Sequence, residues 1–242
     1  MIMPYDNLVA PEFEYLRNVK WHCEEKIDGT NIRLEITKQM VEDGVNFVVN
    51  YGGRTDNAQI PTHLLQFLKS NFPDEKILAS VGLKSFIPTS EFAEHKWNDY
   101  DSIPNIYAIY GEGYGVKIQK GGNYIKDGVG FIVFDVRVND VWLKVDARNE
   151  IAEKLGAPVV PFIGDMTIDE AIAFVKKGFK STIAENKDYD AEGLVLRTDL
   201  GLCDRMGRRL ICKIKTVDFI KYRQTYGTDD KVEQIKNAHI KD

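Results

Sequence analysis

Glu25-Lys26-Ile27-Asp28-Gly29-Thr30-Asn31 is the stretch on which the reading of this chain turns. A lysine ends the β-prone run Trp21 to Lys26, and a glycine turn follows at Asp28-Gly29. Beyond it Ile32, Leu34 and Ile36 alternate with polar residues, so two strands joined by a turn at Asp28-Gly29 are predicted, the second over Asn31 to Thr37. A lysine amine is a nucleophile only when neutral, which requires desolvation or neighbouring cations. Lys213 and Lys215, two residues apart and therefore on one side of a strand, supply such cations if the last strand comes beside Lys26. Gly29 has no Cβ to obstruct close approach of the backbone to a phosphate or sugar. Taken alone, a lysine before an Asp-Gly turn is commonplace in hairpins.

Further segments give the lysine its meaning. Tyr51-Gly52-Gly53-Arg54-Thr55 places an arginine on a turn, and Tyr110-Gly111-Glu112 ends a strand with a carboxylate. Phe131 to Asp135 sets the aromatic Phe134 beside an acid, and Glu192 opens the strand Glu192-Gly193-Leu194-Val195-Leu196. Each is an ordinary strand-end charge or core aromatic by itself. Together they suit transfer of a phosphorus-centred group, which depends on positioning and on neutralising phosphate charge with Lys, Arg and a divalent cation. Glu192 and Asp135 are the oxygen donors that Mg²⁺ accepts. An aromatic face such as that of Phe134 holds a base by stacking, worth about 1–3 kcal/mol.

The rest of the pattern mixes strands with a few helices. Val45 to Tyr51 reads as a strand broken by Gly52-Gly53, and Ile106 to Tyr110, Gly130 to Val138, Gly193 to Thr198 and Leu210 to Lys215 read as strands. Helices are predicted over Thr62 to Ser70, over Asp146 to Leu155 with a stop at Gly156, and over Thr167 to Lys177, where Thr167 and Glu170 have capping-box spacing. Gly111-Glu112-Gly113-Tyr114-Gly115 is not a dinucleotide fingerprint and is expected to be a loop after Glu112. No repeat or linker divides the chain, so one α+β domain on antiparallel sheets is expected over 1–242, with 216–242 as a short tail.

Composition bounds the partners. At 242 residues, 43 % hydrophobic and 29 % charged, the chain has an ordinary globular balance. It has no apolar run long enough for a membrane span and no secretion signal, so a cytoplasmic setting and no membrane partner are expected. Cys23, Cys203 and Cys212 lack paired spacing and predict neither disulfides nor a zinc site. A net charge of −5 means that any nucleic-acid contact must rest on a local patch. Arg197, Arg205, Arg208, Arg209, Lys213 and Lys215 supply one, unless they form a merely solvated face. The four histidines and Trp21, Trp97 and Trp142 carry no pattern beyond packing.

In their order, the K-I-D-G-T-N, Y-G-E, F-D-V and E-G-L-V-L strings and the final Lys213-Ile214-Lys215 resemble the motifs of the covalent-lysine nucleotidyltransferases, which include DNA ligases, RNA ligases and mRNA capping enzymes. They look most like the RNA ligase 2 and RNA-editing ligase type. The resemblance implies a nucleotidyltransferase (adenylation) domain, ATP-grasp-like, with antiparallel sheets flanked by helices. It implies ATP as cosubstrate, AMP as a covalent adduct on Lys26, and Mg²⁺ or Mn²⁺. Asn31 would then sit near the phosphates, Arg54 near the AMP or incoming phosphate, Glu112 at the ribose and Phe134 on adenine. Glu25 would lie beside the nucleotide, Glu192 and Asp135 would hold metal, and Lys213 and Lys215 would contact phosphates. The substrate implied is RNA with 5′-phosphate and 3′-hydroxyl ends. Asp28 departs from the RNA ligase 2 pattern, which often has histidine, and matches the DNA ligase and capping form. The tail after Lys215 is too short for an OB-fold or a helical C-terminal domain, so no OB-fold is expected and a separate RNA-binding partner could take that place. A minimal DNA ligase, a GTP-using capping guanylyltransferase and a non-catalytic nucleic-acid-binding module remain as alternatives.

Overall fold

A computed structural model describes residues 3–4, 11–94, 103–119 and 124–219. Residues 220–242 of the expected tail, with His95, Trp97 and His239, lie outside them. In chain order the elements are β1 (Met3–Pro4), α1 (Pro11–Tyr15), β2 (Trp21–Lys26), β3 (Thr30–Val41), β4 (Gly44–Gly52), α2 (Thr62–Asn71), α3 (Asp74–Ser80) and β5 (Phe86–Pro88). After a 3-10 turn at Thr89–Glu94 come β6 (Ile106–Gly115), β7 (Val129–Val138), β8 (Val141–Trp142), α4 (Val145–Leu155), β9 (Phe162–Met166), α5 (Ile168–Lys177), β10 (Gly193–Arg197) and β11 (Ile211–Lys215).

Two sheets result, α+β as the sequence implies. One has the order β1-β11-β10-β2-β9 and the other β5-β4-β3-β6-β7-β8. All pairings are antiparallel except that of the two-residue β1 with β11. β2 and β3 therefore do not form the hairpin that Asp28-Gly29 suggests. The chain leaves one sheet at Lys26 and enters the other at Thr30, so this turn is the crossing between the sheets. The glycine-rich run 111–115 also differs from expectation: it is the second half of β6, not a loop. Glycine is needed there because a Cβ on Gly111 would fall 2.3 Å from the Phe131 ring.

Alternation decides which face each sheet buries. Ile32, Leu34 and Ile36 of β3, with Ile109, Phe131 and Val133, pack against Leu64 and Leu68 of α2, Ile77 of α3 and Leu155 of α4. Truncating one of these fully buried leucines would cost about 2–5 kcal/mol. The five-stranded sheet buries Trp21, Cys23, Leu194, Leu196 and Cys212 against Ile168, Ala171 and Val175 of α5. That helix begins with the predicted capping box, in which Thr167 accepts from Glu170 N and the Glu170 carboxylate accepts from Thr167 N at 2.7 Å. A smaller cluster of Ile27, Tyr124, Ile132, Val160 and Ala184, with Tyr114 and Phe134 packed on it, covers part of the other face of the six-stranded sheet, beside the crossing turn. These inward faces carry the polar residues of the site.

Candidate active site

The register of the five-stranded sheet puts Lys26, Gly193 and Lys215 in one row across β2, β10 and β11. Side chains in a row share a face, so the two lysines flank a glycine that leaves the space between them open. Gly193 has φ +151°, and a Cβ there would lie 2.0 Å from the Ile214 carbonyl. Glu192, just before it, fills the gap: its Oε2 is 2.7 Å from Lys26 Nζ and its Oε1 is 2.5 Å from Lys215 Nζ. Lys213, two residues back on the same face, completes the group. Burial, then the ammonium groups of Lys215 and Lys26, hold its pKa below the ordinary lysine value, and the charge of Arg54 adds to this. Burial would lower Lys215 as well, but the Glu192 carboxylate outweighs it and raises the pKa.

The six-stranded sheet supplies the facing wall. Asn31 and Glu112 are cross-strand neighbours on β3 and β6. Burial pushes the Glu112 carboxyl up to about 7; Glu192 and Asp28 push it the same way, against Lys26 and the Gly29 amide. The Asp28 carboxyl is likewise raised, by burial and by Glu192. The crossing turn is fixed by the Asp28 amide, which donates to Tyr124 Oη at 2.7 Å. At Gly29 a Cβ would sit 2.3 Å from the Gly113 carbonyl, so this glycine serves the close packing of the turn on β6. Arg54 is exposed on the turn after β4.

Phe134 and Asp135 occupy a bulge. Tyr110 pairs with Asp135 and Gly111 with Val133, which leaves Phe134 without an opposite residue on β6. Val133 and Val136 consequently both face the helical side, whereas Phe134 and Asp135 both turn toward the five-stranded sheet. Bulges re-aim side chains in this way beside functional sites. Phe134 packs against the cluster that contains Ile27, next to Lys26.

Two expected roles need correction. Asp135 is buried, with Oδ2 2.6 Å from Arg209 Nη2 and Oδ1 3.3 Å from Arg197 Nη1; enclosed by two guanidiniums and more deeply buried than Glu192, it does not suit a metal. Glu25 lies on the opposite face of β2 from Lys26. Its buried carboxylate accepts from Thr182 N at 2.9 Å, from Thr182 Oγ1 at 2.7 Å and from the Ser181 hydroxyl, so it ties down a loop and its side chain is not offered to a ligand. Part of the basic patch is internal: Arg197 pairs with Glu24 and Arg209 with Asp135, whereas Arg208, paired with Asp204, and Arg205 are exposed.

The Glu192 charge raises the pKa of both Asp28 and Glu112, and Asp28 adds to the rise at Glu112, so this group of carboxylates fits a divalent cation, which would relieve that repulsion. A second group, His22, Asp165 and Asp199, brings its ligand atoms within 4.8 Å, but both acids are exposed. Sequence reasoning missed Glu24 and Arg148, which are 1 % and 2 % exposed and joined at 2.6 Å. No short-range pattern marks a pair 124 residues apart.

A lysine amine in a row of cations, faced by carboxylates and an aromatic ring, makes a site suited to a phosphate-bearing ligand. The family model described as RNA ligase matches residues 19–215, and the chain belongs to that family. The chain is similar to solved structures of Naegleria gruberi RNA ligase. A mutant with ATP and Mn shares 16 % identity over 92 % of this chain and 56 % of that one, at a TM-score of 0.56. The form with PPi shares 16 % over 93 % and 57 %, at 0.57, and a mutant with AMP and Mn shares 15 % over 93 % and 57 %, at 0.56. This chain thus spans little more than half the length of those proteins. A comparison with curated proteins gave no match. Among the described residues no helix is long and apolar enough to cross a membrane.

Proposed function

We propose that this chain is an ATP-dependent RNA ligase that joins 3′-hydroxyl and 5′-phosphate ends. The observation that carries the reading is the row Lys26–Gly193–Lys215 with Glu192 bridging its two amines. In the first step Lys26 Nζ, having lost its proton, forms a bond to the α-phosphorus of ATP while the bond to pyrophosphate breaks, leaving lysyl-AMP. AMP then passes to a 5′-phosphate end, and a 3′-hydroxyl attacks that end and expels AMP. Lys213, Lys215 and Arg54 would balance phosphate charge, Asn31 would lie near the phosphates, Glu112 would meet the ribose and Phe134 the adenine. A bound Mg²⁺ or Mn²⁺, held at Glu192, would supply further charge neutralisation at the phosphates.

RNA is the partner the family implies, and a separate RNA-binding protein could assist a chain of this length. We place the protein in the cytoplasm, a setting that suits three unpaired cysteines. The test is incubation with radiolabelled ATP and Mg²⁺: the protein should become labelled, and a Lys26→Ala variant that still labels would defeat the assignment. Sealing of 5′-phosphorylated strands with RNA or DNA on each side of the break tests the substrate. Equal sealing of all-DNA nicks would point to a DNA ligase, and labelling by GTP in place of ATP to a capping enzyme.

A further inference from the structure

Phe134 stands at a bulge, where a main-chain carbonyl falls outside the β6 ladder and, if buried, needs another donor. Two arginines supply it. Arg148 Nη1 of α4 donates to the Phe134 carbonyl at 3.1 Å and Arg197 Nη2 of β10 donates to the same oxygen at 3.2 Å. Both arginines are buried. Glu24 balances them, with Oε1 2.6 Å from Arg148 and Oε2 2.8 Å from Arg197. The next residue, Asp135, is gripped by Arg197 and Arg209, and Arg209 lies 3.7 Å over the Trp142 ring.

We propose that Arg197 and Arg148 are positioning residues for the nucleotide, holding the bulge so that the Phe134 ring and the Lys26 amine are set at a fixed separation. This rests on the ligase reading of the site. The connection is direct: Glu24 lies two residues before Lys26 on the same face of β2, so the ion network links the nucleophile's strand to the aromatic's carbonyl. A buried ion network is a poor way to gain stability alone, because apolar replacements of similar volume are often as stable. It does fix geometry, since a guanidinium donates along several set directions at once. A lysine in place of Arg197 would keep the charge opposite Glu24 and Asp135 but could not reach the carbonyl and both carboxylates together.

The experiment measures dissociation constants by titration calorimetry with Mg²⁺ and the α,β-methylene analogue of ATP, which stands in for ATP below and cannot release pyrophosphate to Lys26, so that binding is read without turnover. Four proteins are compared: the unsubstituted chain, Arg197→Lys, Phe134→Ala and the double variant, each first checked for a cooperative melt. Each single change is expected to weaken ATP by about tenfold, the scale of one base stack. The double variant is expected to bind no more weakly than Phe134→Ala, because the arginine acts through that ring. Multiplying losses, or ATP binding by Arg197→Lys that equals the unsubstituted protein, would overturn the proposal. If Arg197→Lys fails to fold, Arg148→Lys takes its place in the same cycle. ATP binding without lysyl-AMP formation would defeat the ligase reading alone, and absence of ATP binding by the unsubstituted protein would defeat both.

Discussion

Glu192 stands 2.7 Å from Lys26 Nζ through its Oε2, while its other oxygen holds Lys215. One carboxylate therefore balances the nucleophile and its neighbour at once, with Lys213 on the same face. Replacing it with a neutral group leaves a cluster of amines without that counter-charge. Glu192→Gln is expected to slow lysyl-AMP formation by at least about a hundredfold, the usual scale for losing a charge-stabilising group. It should also lower stability by about 1–2 kcal/mol at low salt, with much of that recovered near 0.5 M salt, where roughly 4 Å screening weakens amine repulsion. Melts at two salt concentrations check this, and a deficit unchanged by salt would contradict it.

Glu112 has a folded-state pKa of about 7 against an ordinary value of 4.5, because burial and then nearby carboxylates oppose its charge. Between those values the native protein keeps a proton that the unfolded chain has released, so stability falls as pH rises through the window. Glu112→Gln removes this penalty. The variant should be more stable than the unsubstituted protein at about pH 8, by on the order of 2 kcal/mol, and the gain should shrink toward pH 5. Chemical denaturation at the two pH values decides it, and a gain that grows on acidification would reverse the assigned cause.

The strands that carry charge at their ends were legible in the sequence because local pattern specifies them. β2 has the predicted bounds, α5 has its predicted cap, and α4 stops at Gly156 as its left-handed C-cap. Pairing partners were not legible. Asp28-Gly29 has the local chemistry of a hairpin, but each flanking strand gains more by joining a different sheet. The same holds for charge: Arg197 and Arg209 look like surface groups until Glu24 and Asp135 arrive from distant segments. α3 and β9 escaped notice because a seven-residue helix and a five-residue strand carry too little periodicity.

Lys213 titrates below an ordinary lysine because burial and then Lys215 and Lys26 disfavour its charge. If that charge steadies the phosphates, the rate of lysyl-AMP formation should fall on an alkaline limb set by loss of the Lys213 proton. Lys213→Arg retains the cation at any accessible pH. Its pH–rate profile should lose that limb or move it upward, whatever the change in maximal rate. An identical limb in both proteins would assign the titration to another group.

Gly193 offers a stability test of the row that brings Lys26 and Lys215 together. With φ +151° and an added Cβ 2.0 Å from the Ile214 carbonyl and 2.8 Å from Lys215 Cα, alanine must both strain its own backbone and push β11 from β10. Strain of about 1–3 kcal/mol and overpacking of about 1–3 kcal/mol then act together. Gly82 is the control: it too has positive φ, at +78°, but nothing lies within 4 Å of its added Cβ, so only the conformational cost of about 1 kcal/mol applies. Denaturant midpoints of Gly193→Ala and Gly82→Ala should therefore differ by about 2 kcal/mol or more. Since the clash displaces Lys215 from Glu192, Gly193→Ala should lose labelling by ATP even where it remains folded, whereas Gly82→Ala should label normally. Equal stability and equal labelling of the two variants would mean that the row is looser than its register implies.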